Sequence, residues 1–184
     1  MENLYLKEAD FDDLEIVKEW EQDYLKYNPD KRPYINVDSY NGWLDLHKRS
    51  QKDENSVHLF DYWLMLDNKV VGLFLLRTNI EAHEGFSKYG GNVGYDIMPS
   101  YQKRGYGTIG LHLALEKFKQ MGLKEIMVCC DITNIASKKI IENNCGVFKD
   151  VVVQNLGREN DGKEYRYIID IKEALKNIKK KKKK

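Results

Sequence analysis

A glycine-bearing turn between a strand and a helix constrains the fold of this chain most strongly. The turn spans Pro99–Gly110, PSYQKRGYGTIG, and follows a strand pattern at 92–98. A helical pattern at 106–121 begins within it, with the apolar residues on one arc and His112 on the opposite, polar arc. The apolar segment 124–130 then has the composition of a central strand. This order predicts a βαβ crossover in the middle of the chain.

The segments on either side of this crossover alternate between strand and helix patterns. Strands are predicted at 4–8, within 58–77 as a hairpin, and near 147–155 and 163–171, where a turn holds Asp161 and Gly162; helices are predicted from Asp10 to Asn28, at 39–49 and at 134–144. The order predicts an α+β fold, a single domain with a mixed, mostly antiparallel sheet, helices on both faces and the central crossover. Its 184 residues can bury one hydrophobic core, and we assign residues 1–178 to this domain.

The charge of the chain is unevenly distributed. Residues 179–184 are six consecutive lysines, and without them 24 basic residues face 29 acidic ones. We interpret the lysine run as a solvated tail that is predicted to be disordered, because a block of like charges repels itself. The acidic remainder argues against a nucleic-acid-binding domain, so no nucleic-acid partner is expected.

Hydropathy and cysteine usage predict the compartment. The longest apolar stretch, Val70–Leu76, is far shorter than a membrane-spanning helix, and the acidic N-terminus lacks a signal-peptide pattern. The three cysteines are Cys129, Cys130 and Cys145, an odd number without a C-x-x-C pair, so neither a disulfide framework nor a zinc site is indicated. We expect a cytoplasmic protein with no membrane partner and no metal.

Two overlapping motifs in the turn lead to different functions. Gly105, Gly107 and Gly110 satisfy G-x-G-x-x-G, the dinucleotide-binding fingerprint of oxidoreductases, for which Asp131 would be the ribose-binding acid. The context argues against this interpretation. Several residues separate the strand from the first glycine, an antiparallel hairpin precedes it, and only one further crossover follows.

The second motif is Gln102-x-x-Gly105-x-Gly107, which resembles the pyrophosphate loop of the GNAT superfamily of acyl-CoA-dependent N-acetyltransferases. The resemblance spans 92–148 and includes the stretch Asn134–Ser137 that opens the next helix. It implies that acetyl-CoA is the co-substrate and that its acetyl group is transferred directly to a primary amine of a small molecule or peptide.

The physical chemistry of the turn fits a phosphorylated ligand. Backbone N–H groups from Lys103 to Thr108 have no acceptor within the first helical turn, and they lie at the positive end of the helix dipole. Gly105 and Gly107 remove side chains that would keep a pyrophosphate away from these groups. Lys103 and Arg104 add positive charge for further phosphate contacts.

The resemblance also implies where the rest of the co-substrate lies. The strand at 92–98 splays from the next strand, and the pantetheine arm enters the gap along Ile97 and Met98. A backbone N–H near Ile97 would stabilise the oxyanion formed during transfer. Asn134 would bond to the pantetheine or orient the acceptor. The predicted cofactor-binding residues are therefore Ile97, Met98, Gln102, Lys103, Arg104, Gly105, Tyr106, Gly107, Thr108, Asn134 and Ser137.

Direct transfer requires a base, because an ammonium group has no lone pair. Asp96 is the candidate base, since it lies beside the expected reaction point on the strand face opposite Tyr95 and Ile97. His83 and Glu84, in the loop leading to this strand, are alternatives. Asn134 is expected to position the reactants.

The acid that protonates the leaving thiolate stays open. Many GNAT members place a tyrosine seven residues after the asparagine, but this chain has Ile141 there. Tyr95, Tyr106 or Cys130 can take that role, or no dedicated acid is needed. The departure from the pattern also favours an alternative function, a non-catalytic acyl-CoA-binding regulatory module.

Aromatic residues are frequent in the first two predicted helices and their connection. In GNAT proteins this region covers the acceptor pocket, and aromatic walls around an acidic site suit a cationic amine. The same residues also fit the core of amphipathic helices, so the amine is not identified. The residues are Trp20, Tyr24, Tyr27, Tyr34, Tyr40 and Trp43. The expected assembly is a monomer or a homodimer.

Overall fold

The computed structural model describes residues 3–154 and 162–181. This part of the chain contains seven strands and five α-helices. The strands are β1 (Leu4–Glu8), β2 (His58–Leu66), β3 (Lys69–Thr78), β4 (Val93–Ile97), β5 (Glu125–Asp131), β6 (Val147–Gln154) and β7 (Gly162–Asp170). The helices are α1 (Leu14–Tyr27), α2 (Tyr40–Ser50), α3 (Tyr106–Gln120), α4 (Ile135–Asn143) and α5 (Ile171–Lys181).

The strands form two antiparallel sheets. One has the order β1-β2-β3-β4, and the other has the order β5-β7-β6. Helix α3 crosses from β4 in the first sheet to β5 in the second. The predicted α+β fold and its crossover are confirmed. The structure adds that the sheet is divided between β4 and β5.

Helices cover both faces of the first sheet, as predicted. Apolar residues of α3 and α5 pack with one face, which includes Phe74. The other face is covered by α1 and α2, whose Trp20 and Tyr40 pack around Trp63 of β2. Alternate residues of β2 thus point into two separate cores, which explains why the hairpin is apolar along its whole length.

Gly110 allows α3 to approach the sheet closely. A Cβ added at this position would overlap the ring of Phe74 on β3. The third glycine of the G-x-G-x-x-G pattern is therefore required for helix–sheet packing. This requirement explains the pattern without a dinucleotide.

Two details of the helices differ from the prediction. Helix α1 begins at Leu14 after Asp13, because Asp10 starts a preceding turn and is not the helix cap. His112 is only 8% exposed, although the helical pattern places it on the polar arc of α3. The reason is that α3 packs against α4 and α5 as well as against the sheet, so more than one of its arcs is covered.

The C-terminal helix α5 was not predicted. Ile171, Ala174 and Leu175 are buried against α3, at the spacing of one helical face. The helix continues to Lys181, three residues into the segment assigned to the lysine tail. The predicted disorder of 182–184 and the predicted turn at Asp161 lie outside the described residues.

Candidate active site

A cavity of about 680 Å³ opens where the two sheets meet. Asn92 joins the sheets at one end of it. Its N–H donates to the carbonyl of Met127 (2.7 Å), and its Oδ1 accepts from the N–H of Met127 (2.8 Å). Beyond Asn92, β4 and β5 form no ladder in the part of the chain that the structure describes. The gap expected between these strands is therefore present, and the cavity occupies it.

The turn before α3 forms one wall of the cavity with unpaired backbone donors. The N–H groups of Lys103, Arg104, Gly105 and Gly107 make no hydrogen bond within residues 3–154 and 162–181. Thr108 differs from the prediction, because its N–H already donates to the carbonyl of Gly105 (3.1 Å). Four donors at a helix N-terminus make a site for an anion.

Backbone geometry keeps this turn open. Lys103 (φ 63°) and Gly105 (φ 86°) both lie in the left-handed region, which is unfavourable for lysine and easy for glycine. A Cβ added at Gly105 would meet no atom within 4 Å, so its surface faces open space. A Cβ at Gly107 would lie 2.6 Å from Cδ1 of Ile140. The turn therefore has the space and the donors that a pyrophosphate requires.

Most of the predicted cofactor-binding residues lie on the wall of the cavity. They are Ile97, Gln102, Lys103, Gly105, Tyr106, Gly107, Thr108, Asn134 and Ser137. Gln102 donates from Nε2 to the carbonyl of Ile97 (3.1 Å), and Asn134 caps α4 by accepting from the N–H of Ser137 (2.9 Å).

Two predicted residues do not line the cavity. Met98 is 2% exposed and packs in the core beneath α1 and α2. Arg104 belongs to the turn, but its side chain is exposed. Its guanidinium donates to the carbonyl of Ser100 (3.2 Å) and stacks on Tyr101. The side chain of Met98 is therefore unable to contact a ligand in the cavity.

The end of β4 brings a carboxylate and a backbone donor together. The N–H of Met98 donates to Val71 of β3 (3.0 Å), and strand alternation therefore turns the N–H of Ile97 towards the gap. Asp96 lines the cavity on the face opposite Tyr95. Burial raises the pKa of Asp96, and a hydrogen bond from the Ile97 backbone partly opposes this rise.

Hydroxyl groups of β4 and α4 and a thiol of β5 lie on the other side of the strand from Asp96. The Tyr95 hydroxyl lies 2.7 Å from Oγ of Ser137 on α4. Burial raises the pKa of Tyr95, and it also raises the pKa of Cys130. Tyr106 lines the cavity as well, whereas Ile141 is fully buried in the core.

Two charged residues on the cavity wall were missed by the sequence analysis. Arg77 of β3 donates from Nη1 to the carbonyls of Gly90 (3.1 Å) and Gly91 (3.2 Å). Glu164 of β7 has a buried Oε2 with no hydrogen-bond partner among the described residues, and burial raises its pKa. Only the strand register brings these residues to the cavity, and no local motif marks them.

The remaining candidates are either outside the cavity wall or already hydrogen-bonded. His83 and Glu84 are exposed, and Glu84 pairs with Lys88. Asp131 borders the cavity, but its Oδ1 accepts the N–H and hydroxyl of Thr133. The candidate aromatic side chains of the first two helices and their connection are also absent from the wall, and Trp20 and Tyr40 are core residues.

Two classes of feature are absent from the described residues. No group of three or more His, Cys, Asp or Glu side chains there is arranged to hold a metal ion. No helix within the same ranges has both the length and the apolar character needed to cross a membrane.

The family follows from a comparison with known domains. The family model of the GNAT acetyltransferase domain matches residues 4–146. The chain belongs to this family. GNAT membership and the two antiparallel sheets argue against the dinucleotide-binding alternative. No curated protein matches the sequence.

Solved GNAT structures share the fold over most of their length. An acetyl transferase of Salmonella typhimurium that modifies the N-terminal serine of a 50S ribosomal subunit protein has 16% identity and a TM-score of 0.67, over 90% of this chain and 93% of that chain. The protein yncA of Salmonella typhimurium, with its cofactor acetyl-CoA, has 13% identity and a TM-score of 0.62, over 91% and 94%. A spermidine N-acetyltransferase chimera based on SpeG of Vibrio cholerae has 18% identity and a TM-score of 0.64, over 94% and 98%.

Proposed function

We propose that this GNAT protein is an acetyl-CoA-dependent N-acetyltransferase that acts on a primary amine of a small molecule or peptide by direct transfer. The observation that carries the proposal is the cavity between β4 and β5, whose wall combines unpaired backbone donors with the carboxylate of Asp96. Related structures with acetyl-CoA, and relatives named for acting on a protein N-terminus or on spermidine, support it.

The turn 103–107 binds the pyrophosphate in this proposal. Its N–H groups and the positive end of the α3 dipole attract the anion, and Gly105 leaves space for it. The exposed side chains of Lys103 and Arg104 supply positive charge for the 3′-phosphate. The pantetheine arm lies in the gap beside Ile97, and its path passes Asn134 and Ser137.

The transfer step uses residues at the end of β4. Asp96 accepts a proton from the ammonium form of the acceptor, and the resulting amine attacks the thioester carbonyl carbon. The new C–N bond forms, the C–S bond breaks, and the acetyl group leaves the coenzyme A sulfur. Protonation of Asp96 weakens its hydrogen bond with the Ile97 backbone, and the N–H of Ile97 then donates to the oxyanion that forms between these two events. The proton that the nitrogen loses as the amide forms passes to the released thiolate, which becomes the free thiol. Asn134 positions the reactants.

We propose that Tyr95 donates a hydrogen bond to the leaving thiolate. Its hydroxyl lies on the cavity face that the pantetheine arm follows, beside Ser137. Because burial raises the pKa of Tyr95, its hydroxyl holds its proton too tightly for complete transfer and acts as a hydrogen-bond donor.

We expect Tyr95→Phe to lower kcat about tenfold, the value of roughly one hydrogen bond to a charged group. A decrease of a thousandfold or more in a steady-state assay would instead indicate full proton transfer.

The non-catalytic alternative predicts different chemistry. A regulatory acyl-CoA-binding module needs no base beside the thioester, whereas our proposal assigns that position to Asp96, whose pKa is raised by burial. Amine-dependent thioester cleavage separates the two functions. We further propose that the protein is cytoplasmic and acts as a monomer or homodimer.

Thermal unfolding with and without acetyl-CoA tests the binding step. At about one hundred times its Kd the ligand adds about 2.7 kcal/mol to the free energy of unfolding. For a chain of this size the midpoint should rise by roughly 5–10 °C. The nicotinamide cofactor NADH, the ligand of the oxidoreductase alternative, should produce no rise. An unchanged midpoint with acetyl-CoA would refute the proposed function.

A further inference from the structure

We propose that the acceptor amine also carries a carboxylate, and that Arg77 binds this carboxylate. The inference rests on the proposed function and names its substrate class. Arg77 lies on the wall of the same cavity as Asp96. The cavity therefore holds a cationic and an anionic side chain for one bifunctional acceptor.

Arg77 forms no ion pair in the described part of the chain. The carboxylate that acts on its pKa, Asp61, is itself hydrogen-bonded to His47. The hydrogen bonds of Arg77 go to two neutral carbonyls, those of Gly90 and Gly91. Burial lowers the pKa of Arg77, which means that its charge is partly removed from water. By contrast, Arg166 forms a two-pronged pair with Asp150, at 2.6 Å for each contact. A desolvated arginine without a carboxylate is costly to maintain, so a ligand anion is expected beside it.

The position of the guanidinium is fixed on three sides. Nη1 is held by the two carbonyls, the plane packs over the ring of Phe86 at 4.7 Å, and Nη2 lies 2.9 Å from the point where a Cβ of Gly94 would be. No hydrogen bond from Nη2 to another described residue occupies that donor. The absence of a side chain at Gly94 lets the guanidinium lie against β4.

This position determines the size of the acceptor. Gly94 and Asp96 lie on the same face of β4, and their Cα atoms are about 7 Å apart, because a strand rises about 3.4 Å per residue. The strand positions beside the guanidinium and at Asp96 are thus spaced by about the length of a small amino acid. An amine near Asp96 would place its own carboxylate at Nη2 of Arg77.

The neighbouring charges are consistent with this arrangement. Tyr34 is 52% exposed, but its hydroxyl end is buried, and Asp96 and Arg77 are both among the charges that act on its pKa. Its hydroxyl is therefore near enough to both side chains for their charges to act on it, although Tyr34 is outside the cavity wall. Glu164 also lines the cavity, but it is not among the groups that act on Arg77 and does not neutralise it. A diamine would bring its second ammonium group against Arg77, which is unfavourable.

A matched acceptor series tests the proposal. We would measure kcat/KM of the complete chain for β-alanine, for its uncharged amide and for diaminopropane, each with saturating acetyl-CoA. The expected preference for β-alanine over the amide is about tenfold to a hundredfold, the value of a charge-assisted pair of hydrogen bonds. The diamine should be the poorest acceptor. An aspartyl peptide compared with its asparaginyl counterpart tests whether a peptide side chain can supply the carboxylate instead, and a preference there would also support the proposal.

Variants separate carboxylate binding from a structural role. Arg77→Gln should bring the preference for the acid over the amide close to one while the amide is still acetylated, and Arg77→Lys should keep part of the preference. Arg166→Gln removes a paired arginine outside the cavity wall and should keep the full preference. If Arg77→Gln does not fold, as judged by loss of a cooperative thermal unfolding transition, Gly94→Ala is the substitute, because its Cβ displaces Nη2 and should lower the same preference.

The outcomes distinguish two failures. Acetylation of amines with no preference for the acid, or with a preference for the diamine, would overturn the role of Arg77 and leave the proposed function intact. An unchanged preference in Arg77→Gln would overturn it as well. No acetylation of any amine, together with no acetyl-CoA thermal shift, would refute the proposed function itself.

Discussion

Gly105→Glu should abolish the stabilisation of this protein by acetyl-CoA. The substitution places a negative charge in the open space at the start of α3, where we expect the pyrophosphate. The midpoint rise of roughly 5–10 °C that we expect for the wild type should disappear in the variant. Differential scanning fluorimetry with and without acetyl-CoA measures this loss.

The chain offers a closely matched control for this substitution. Gly122 has the same φ of 86° as Gly105, and a Cβ added there also meets no atom within 4 Å. Both glutamate variants carry a left-handed residue, which costs about 1–2 kcal/mol, but Gly122 lies after α3 and outside the cavity wall. Gly122→Glu should therefore keep the full acetyl-CoA response. Equal responses in the two variants would show that the turn does not bind the co-substrate.

Asp96→Asn should have the largest effect on turnover. Removal of a general base lowers the rate by about a hundredfold to ten-thousandfold. Binding of acetyl-CoA should be unchanged, because the substitution is isosteric and lies away from the turn. Steady-state kinetics with β-alanine, combined with the thermal shift, separate the two steps. A variant that retains wild-type kcat would exclude Asp96 as the base.

The same substitution should stabilise the free protein at neutral pH. Burial raises the pKa of Asp96 above its ordinary value of 3.8, so the folded state favours the protonated carboxyl. Stability from this group is present at low pH and is lost as the pH rises from 3.8 through the raised pKa. At pH 7 the ionised form is disfavoured by burial, and Asn removes this cost. The apparent pKa on the acid side of the wild-type pH profile of kcat/KM should also lie above the usual pKa range of aspartate.

The sequence predicts the local parts of this fold well. The hairpin β2–β3 is apolar along its whole length and helix α3 has a strong helical periodicity, and each signal is complete within one continuous segment of sequence. Helix α5 was missed because its few apolar residues stand among lysines and directly follow a strand. Ile171, Ala174 and Leu175 do carry a helical spacing, so the signal was present but was assigned to the strand end and the tail.

The candidate site also has one part that the sequence predicts and another that it does not. The donors of the turn 103–107 follow from one continuous segment, because a helix start always leaves N–H groups without intrahelical acceptors. Asn92, Arg77 and Glu164 come from three elements that meet only after the two sheets are placed. Their contacts depend on strand register, which pairs residues far apart in the chain, and no single-sequence pattern reports it.

Amine-dependent release of coenzyme A tests the central claim most directly. The wild-type chain would be incubated with acetyl-CoA and β-alanine, and free thiol and N-acetylated product would be measured together. We predict that the two appear in equal amounts, that Gly105→Glu and Asp96→Asn lose both, and that Gly122→Glu keeps both. Thermal stabilisation by acetyl-CoA, with no thiol release from β-alanine, its amide, diaminopropane or the two peptides, would contradict the claim that this cavity catalyses acetyl transfer.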